Sequence, residues 1–415
     1  MNLSSFQVGA SGGNLTGSVV IGASCPWSVA GLPDWIAVSG PAAGSGPATI
    51  TLVVAANAGP PRTATIVVAG DDVTVTQAGA TYTVSGHVTL GGQPLQGMFM
   101  SLGIQATGRF QTVQTDANGY YSIAFPAAGT VYLLEAGLPG YSFLTDQGGV
   151  TMATAEVLPF GNQTIDFTAW LNPAIGGLTA GFPSAIQPAP AAYAPGEIIS
   201  IYGSSLCDAV QPASVPLADS LGGCRVWLDG TELPLYYSSP GQVNAVLPQN
   251  APVGGNVLWV ERFTDSSDSV LAAIGDNFSI RIAPVSMDFV EIADGGDTIL
   301  AVQFQDGGFA GAGRPVKPGD IVTLYLTGLG AKVQTGPDGA APGVPDAAIQ
   351  QPGVLVQGLA APILYAGAQP QCPGLDQIDL QLPQYALPAG KTTATFAIGA
   401  PSVSQTNTYE VPAVQ

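Results

Sequence analysis

The chain contains one histidine, His87, and four cysteines, which are residue types that nucleophilic catalysis and zinc binding often require. A Ser-His-Asp or Cys-His arrangement would have to use His87, which stands in an alternating polar and apolar stretch with no Gly-x-Ser-x-Gly motif near it. The cysteines (Cys25, Cys207, Cys224 and Cys372) form no Cys-x-x-Cys pair. We therefore expect no catalytic residue, no metal site and no cofactor.

The four cysteines fit disulfide chemistry better than metal binding. Cys207 and Cys224 close a short loop, and we predict a disulfide between them that constrains the unfolded chain by about 3 kcal/mol. Cys25 and Cys372 are then left without a local partner, near opposite ends of the chain. Two alternatives are open for this pair: a disulfide between copies of the protein, or two free thiols. Disulfides are typical of oxidising compartments, so we expect an extracellular or cell-surface protein.

The net charge of the chain limits the classes of molecule that it is expected to bind. Nine Lys and Arg against 28 Asp and Glu give a net charge of −19, which lacks the basic footprint of a nucleic-acid-binding protein. The glutamates are scattered and match no glycosidase motif, so we predict that the chain is not an enzyme. No apolar run reaches the length of a membrane span. Residues 1–5 lack the pattern of a signal peptide, and whether one was removed stays open.

Composition and periodicity predict an all-β protein. Charged residues make up 9% of the chain, against about 25% in typical domains, while 46% are hydrophobic. The 55 glycines and 35 prolines separate short alternating runs, as turns separate strands. We predict tandem immunoglobulin-like β-sandwich domains arranged as an elongated rod. The predicted segments are a first domain (1–80), a second domain (81–170), a Pro/Ala/Gly linker (171–193), repeat 1 (194–284) and repeat 2 (285–415).

In the first domain, Cys25-Pro26-Trp27, Pro33-Asp34-Trp35, Asn57, Arg62 and Val75-Thr76-Gln77 occur in an order that resembles the BACON family. The resemblance implies an immunoglobulin-type sandwich, and the family's name suggests carbohydrate binding. Trp27 and Trp35 are the candidate carbohydrate-binding residues, and packing in the core is the alternative role for both rings.

The second domain contains Thr115-Asp116-Ala117-Asn118-Gly119-Tyr120, where Asp-Ala-Asn-Gly supplies turn residues between two strands. With the alternating stretch around His87, this set resembles the carboxypeptidase regulatory-like, transthyretin-like or Cna-B-like sandwich. The resemblance implies a spacer fold and brings no catalytic residues with it.

Repeats 1 and 2 are two copies of one pattern. Residues 194–203 align with 317–326, 235–237 with 363–365, and 241–248 with 376–383. The pattern resembles an uncharacterised C-terminal domain family of secreted proteins of the acidobacterial type, which carries no known activity.

The sequence therefore predicts a structural or adhesive subunit, with copies of itself as the partner, that assembles head to tail into an extracellular filament. Assembly by strand addition needs a donor segment, and the N-terminal end is the candidate. The candidate donor residues are Met1, Asn2, Leu3, Ser4, Ser5, Phe6, Gln7 and Val8. The alternative function is carbohydrate binding by a monomer, with a polysaccharide as the partner.

Overall fold

A computed structural model describes residues 5–104, 109–127, 131–147, 150–181, 191–207, 215–264, 270–334, 336–401 and 406–415. Within these ranges every named element is a β-strand, which confirms the predicted all-β class. Among the described residues, no helix has the length and apolar character needed to cross a membrane. The chain divides into two compact units, Met1–Trp170 and Leu171–Gln415.

The first domain packs a five-stranded sheet, in the order β1-β8-β7-β3-β5, against a three-stranded sheet, β2-β6-β4. Strict alternation builds its core: Val73 and Val75 of β8 point inward while Thr76 is exposed, so one face of the strand is buried. Its strands are β1 (Ser5–Val8), β2 (Gly13–Val19), β3 (Pro26–Ala30), β4 (Ile36–Ser39), β5 (Ala43–Ser45), β6 (Ala48–Val54), β7 (Arg62–Val68) and β8 (Asp71–Gln77).

The second domain pairs β9 with β10, β13, β18 and β19 in one sheet that continues to β15 and β16, and places β12-β11-β14-β17 in the other. The carboxylate of Asp116 accepts the backbone N–H groups of Asn118 and Tyr120, so this side chain stabilises the turn before β13. The strands are β9 (Thr81–Leu90), β10 (Gln93–Pro94), β11 (Phe99–Ile104), β12 (Arg109–Gln114), β13 (Tyr120–Pro126), β14 (Tyr132–Gly137), β15 (Tyr141–Gln147), β16 (Val150–Met152), β17 (Thr154–Val157), β18 (Gln163–Thr164) and β19 (Phe167–Leu171).

Repeat 1 consists of the sheet β20-β21-β25-β24 and the sheet β23-β22-β26-β27, with β28 also paired to β26. Its strands are β20 (Ala174–Ala180), β21 (Ile198–Ser204), β22 (Cys224–Leu228), β23 (Thr231–Glu232), β24 (Leu235–Ser238), β25 (Gln242–Val246), β26 (Gly254–Phe263), β27 (Leu271–Ile274) and β28 (Phe278–Ile282).

The predicted linker over 171–193 is wrong for Ala174–Ala180. These residues form β20, which pairs antiparallel with β21 around a bulge between Ile175 and Gly177. The bulge interrupts the two-residue alternation that would have marked the strand in the sequence. Residues 182–190, which include Pro183, Pro188 and Pro190 of the predicted linker, lie outside the described residues.

Repeat 2 is built from the sheet β29-β33-β38-β37-β34, with β32 on β33, the hairpin β30-β31 and the sheet β36-β35-β39-β40. Its strands are β29 (Asp288–Phe289), β30 (Glu291–Asp294), β31 (Asp297–Leu300), β32 (Val302–Phe304), β33 (Ile321–Thr327), β34 (Asp346–Ala347), β35 (Gly353–Val356), β36 (Leu359–Ala360), β37 (Ile363–Ala368), β38 (Asp376–Gln381), β39 (Thr393–Gly399) and β40 (Asn407–Pro412).

The two repeats agree in strand register as well as in sequence. Ser200 faces Asn244 across β21 and β25, and the aligned residues Thr323 and Asp379 face each other across β33 and β38. A bulge follows Leu235 in β24, and a bulge also follows its aligned residue in β37. Each of the four predicted β-sandwich segments has its own main hydrophobic cluster among the described residues: one in the first domain, one in the second domain, one in repeat 1 and one in repeat 2.

Candidate functional site

The candidate donor segment forms an edge strand of its own domain. Ser5–Val8 pairs in parallel with β8, from Ser5 opposite Thr74 to Val8 opposite Gln77. Phe6 and Val8 pack against the core, whereas Gln7 is exposed beside Thr76. Donation of this segment to another copy stays a prediction, and it requires residues 5–8 to leave the site that they occupy in their own chain. Residues 1–4 lie outside the described residues.

A buried glutamine holds the end of β1. Gln77 has none of its surface exposed; its Oε1 accepts the Arg62 Nε–H at 2.9 Å. The Gln77 amide nitrogen donates to the carbonyl of Ala55 at 2.8 Å and to that of Gly9 at 3.3 Å. Backbone bonds continue the contact, since the Ala78 N–H donates to the Val8 carbonyl at 2.9 Å. The Gln and Arg of the BACON-like motif thus act as a structural clip for β1.

The segment after this clip is a tight glycine turn. The Gly12 N–H donates to the Gly9 carbonyl at 3.0 Å, and Gly12 has a φ of 73°. A Cβ on Gly12 would stand 2.3 Å from the Val54 carbonyl oxygen, so only glycine fits this closed turn. β1 is thus joined to β2 by a segment whose glycines also tolerate other backbone conformations.

Trp27 and Trp35 pack against the core of the first domain, and a role for them in carbohydrate binding stays a prediction. Trp27 is 9% exposed and packs in the core, and a Cβ on Gly44 would come within 2.7 Å of its ring. Trp35 is half-buried, and the Arg62 guanidinium lies 4.5 Å from the centre of its ring. Core packing, with a cation–π contact on Trp35, accounts for both rings.

A different aromatic pair stands on a sheet face of repeat 1. Trp227 and Trp259 are directly opposite each other on β22 and β26, with ring centroids 5.9 Å apart and ring planes within 5° of parallel. The Trp227 Nε1–H donates to the Glu261 carboxylate at 2.9 Å, and both rings are half-buried. Sequence reasoning missed this pair because the two residues are far apart in the chain and meet only through strand register.

The cysteines divide as their spacing indicates. Cys207 and Cys224 form a disulfide with a Cα–Cα distance of 5.4 Å, and both residues are buried in the core of repeat 1. Cys25 and Cys372 are free thiols, and both are exposed. Their predicted bond between copies therefore stays a proposal.

Buried charge gathers where repeats 1 and 2 meet. Glu197 has none of its surface exposed; its Oε2 accepts the Ala194 N–H at 2.6 Å, and its Oε1 has no hydrogen-bond partner within the described residues. Burial, followed by the nearby charge of Asp288, raises the pKa of Glu197 well above its usual value. Burial likewise raises the pKa of Asp288 to about 7. The aligned residue in repeat 2, Asp320, makes the same backbone contact, to Lys317, but is only half-buried.

Glu197→Gln is expected to make the free energy of unfolding less dependent on pH. The folded-state pKa of Glu197 lies above its ordinary value of 4.5, which means that folding favours the protonated carboxyl group. The stability that Glu197 contributes to the wild type is therefore complete below pH 4.5 and is lost as the pH rises through the folded-state pKa. Glutamine stays neutral and still accepts the Ala194 N–H. Urea unfolding from acid to alkaline pH checks this result.

Asp288→Asn provides the comparison for that measurement. Stability is again lost as the pH rises, but the loss that comes from Asp288 falls in the pH range between the ordinary pKa of this group, 3.8, and its folded-state pKa of about 7. Two other groups interact electrostatically with Glu197 and stay unchanged in both variants: Asp376, which is paired with Lys332, and Tyr193. Parallel pH profiles for the wild type and Glu197→Gln would show that Glu197 does not carry the effect.

The polar groups do not converge on a catalytic constellation in the described parts of the chain. His87 lies 3.8 Å from Asp166, both side chains are exposed, and the His87 ring rests beside Tyr120. The described residues contain no cluster of three or more His, Cys, Asp or Glu side chains able to hold a metal ion.

Comparison with known proteins adds one family assignment. Residues 26–78 match the family described as "BACON: Putative binding domain, N-terminal". The similarity to this family covers Trp27, Trp35, Arg62 and Gln77, so the matched segment includes the clip that holds β1. No curated protein matches the chain by sequence.

Solved structures with distant similarity are tandem-domain proteins. A Bacillus anthracis protein, the TIE protein, is 9% identical, with all of this chain and 72% of that chain covered and a TM-score of 0.29. The Bacillus cereus major pilin subunit BcpA is 11% identical, with 80% and 95% covered and a TM-score of 0.22. The I9–I11 tandem of titin is 6% identical, with 100% and 98% covered and a TM-score of 0.17. Similarities at these scores carry no argument about function.

Proposed function

We propose that this protein is a non-enzymatic structural or adhesive subunit of the bacterial cell surface, and that copies assemble by exchanging β1. The observation that carries the proposal is that β1 is an edge strand of four residues, paired with β8. An identical strand from another copy has the same side chains and hydrogen-bonding groups for this site. Exchange reproduces every native contact between β1 and β8, so the closed and exchanged forms differ mainly in the turn and in association entropy.

The surroundings of β1 support exchange. The strand is bonded to a neighbour on one side only. Gln77 of the clip and the backbone N–H of Asn57 donate to carbonyl groups that would move with the strand, those of Gly9 and Ala10. The glycine turn at Gly12 supplies the hinge. When each copy gives β1 to one neighbour and receives β1 from another, the contact is heterologous and does not close, and contacts of this kind produce fibres.

The chemistry of the rest of the chain fits an extracellular assembly. The Cys207–Cys224 disulfide is stable in an oxidising compartment. The exposed thiols of Cys25 in the first domain and Cys372 in repeat 2 suit a covalent link between successive copies, head to tail.

A cysteine pair across β1 and β8 tests the exchange. Gln7 and Thr76 are opposite each other and exposed, so Gln7→Cys with Thr76→Cys brings two thiols together. In a Cys25→Ser and Cys372→Ser background, oxidation at high protein concentration is expected to give a ladder of disulfide-linked multimers on a non-reducing gel. If β1 is exchanged, the disulfide between positions 7 and 76 joins two copies of the protein.

The matched control is Thr16→Cys with Thr51→Cys, which joins β2 to β6 within one domain, where the two hydroxyl oxygens are 3.5 Å apart. This pair is expected to give monomers only. Monomers from the Gln7 and Thr76 pair at every concentration would contradict exchange of β1.

Carbohydrate binding is the second candidate function, and Trp227 with Trp259 is the observation that favours it. Parallel indole rings beside the Glu261 carboxylate offer an apolar face and a hydroxyl acceptor, the two features that a neutral glycan needs. Trp227→Ala with Trp259→Ala is expected to abolish retention on insoluble neutral polysaccharides, whereas Trp35→Ala retains it. Equal retention of the two variants would contradict carbohydrate binding by Trp227 and Trp259.

A further inference from the structure

Repeat 2 buries one of the three lysines in the chain against an aspartate. The Lys332 and Asp376 side chains are each 2% exposed, and Lys332 Nζ lies 3.0 Å from Asp376 Oδ1. Lys332 Nζ also donates a hydrogen bond to the Gly330 carbonyl at 2.6 Å. An amine and a carboxyl group are thus held in contact in a site almost closed to water.

Burial makes this ion pair costly. Removing both ions from water costs several kcal/mol per ion in real proteins, and a single ion pair recovers that cost only in part. Burial is also the largest influence on Asp376 and raises the pKa of its carboxyl group. Proton transfer from the ammonium group to the carboxylate gives a neutral amine beside a neutral carboxylic acid, the pair of species that condenses to an amide.

The two oxygens of Asp376 have different surroundings. Oδ2 accepts the Leu329 N–H at 2.8 Å, whereas Oδ1 faces the Lys332 amine. In a tetrahedral intermediate, negative charge develops on the oxygen that becomes the amide carbonyl, and a fixed N–H donor stabilises that charge. Oδ2 is therefore placed to become the carbonyl oxygen, and Oδ1 is placed to leave.

We propose that Lys332 and Asp376 form an intramolecular isopeptide bond that links the segment after β33 to the start of β38. Lys332 Nζ attacks Asp376 Cγ, so that an N–C bond forms and the Cγ–Oδ1 bond breaks. Starting from the ion pair, one ammonium proton passes to the carboxylate and a second follows it to Oδ1, which leaves as water. One proton remains on the amide nitrogen, and the balance needs no oxidant, reductant or other reactant.

Two further features favour this condensation. Groups held in contact react as if at an effective concentration of about 10⁵ to 10⁸ M, which overcomes the dilution that limits amide formation between separate molecules. A cavity of about 120 Å³, lined in part by Lys332, Asp346 and Gly374, adjoins the pair and has room for the released water. The proposal is independent of β1 exchange, because it concerns one folded repeat.

Intact-mass measurement of the full chain under reducing conditions tests the proposal. The wild-type protein is expected to be lighter than its sequence by one molecule of water. Lys332→Met removes the nucleophile and is expected to restore the full mass, while Lys391→Met, at an exposed lysine, keeps the loss. Tryptic digestion is expected to leave the chain uncut after Lys332 and to yield a branched peptide containing Lys332 and Asp376.

Other outcomes would overturn the proposal. A full mass for the wild-type protein would show that the bond does not form, whether or not any variant folds. Asp-Gly sequences such as Asp229-Gly230 and Asp338-Gly339 also lose one water when they cyclise to a succinimide. A water loss that persists in Lys332→Met, or that fragmentation places at an Asp-Gly sequence, would assign the mass change to that reaction.

Discussion

Replacing Gln77 with alanine is expected to lower the free energy of local opening of β1 and β8 by about 2–3 kcal/mol. The side chain is fully buried and bonds both to the Arg62 guanidinium and to the carbonyls of Ala55 and Gly9. Alanine leaves the Arg62 Nε–H and the Ala55 carbonyl without these bonds. Hydrogen bonds to charged groups contribute more than neutral ones, and unsatisfied buried groups are costly.

Hydrogen exchange measured by mass spectrometry on peptides from β1 and β8 reports this effect locally, which suits a chain of several domains. Thr76→Ala is the matched control, because Thr76 is exposed on the same strand and makes only a 3.3 Å hydroxyl contact with Thr63. We expect a change within about 0.5 kcal/mol for this control. Equal protection in Gln77→Ala and the wild type would show that the clip does not hold β1.

Removing the buried disulfide is the second change with a large expected effect. Replacing Cys207 and Cys224 together with serine is expected to lower the free energy of unfolding of repeat 1 by about 3 kcal/mol, because the unfolded chain regains the freedom of the closed loop. Both cysteines lie within the core of repeat 1, so two hydroxyl groups in that core add to the cost. Thermal unfolding of the full chain, with exchange in β22 and β26 to locate the change, measures it.

The free cysteines supply the control for this variant. Cys25→Ser with Cys372→Ser alters two exposed residues and is expected to leave the stability of one copy within about 0.5 kcal/mol of the wild type. A similar loss in both double variants would place the effect in general thiol chemistry and contradict a specific role for the Cys207–Cys224 bond.

Local pattern and internal repetition predict much of this fold. The aligned stretches at 194–203 and 317–326 predict equivalent strands, and the structure gives them equivalent register in β21 and β33. The alternation of apolar and polar residues predicts β8, because one face of that strand is buried and the other faces solvent. In each case the information lies within a few neighbouring residues.

Features that depend on contacts between distant segments escape such reasoning. A tryptophan packs inward at Trp27 and lines an outer sheet face at Trp259, and its residue type is the same in both places. Gly176 and Gly177 interrupt the alternating pattern that would have predicted β20, and this strand forms by pairing with the edge of β21. Glu197 and Lys332 have the residue types of surface charges, yet both are buried in the folded chain by contacts with segments distant in the sequence.

Electron microscopy of the concentrated 415-residue chain tests the exchange of β1 most directly. We expect fibres with a regular axial repeat, in which density leads from the glycine turn of one copy to a strand lying beside β8 of the next. Monodisperse single copies, each with Ser5–Val8 beside its own β8 at every concentration, would contradict assembly by strand exchange.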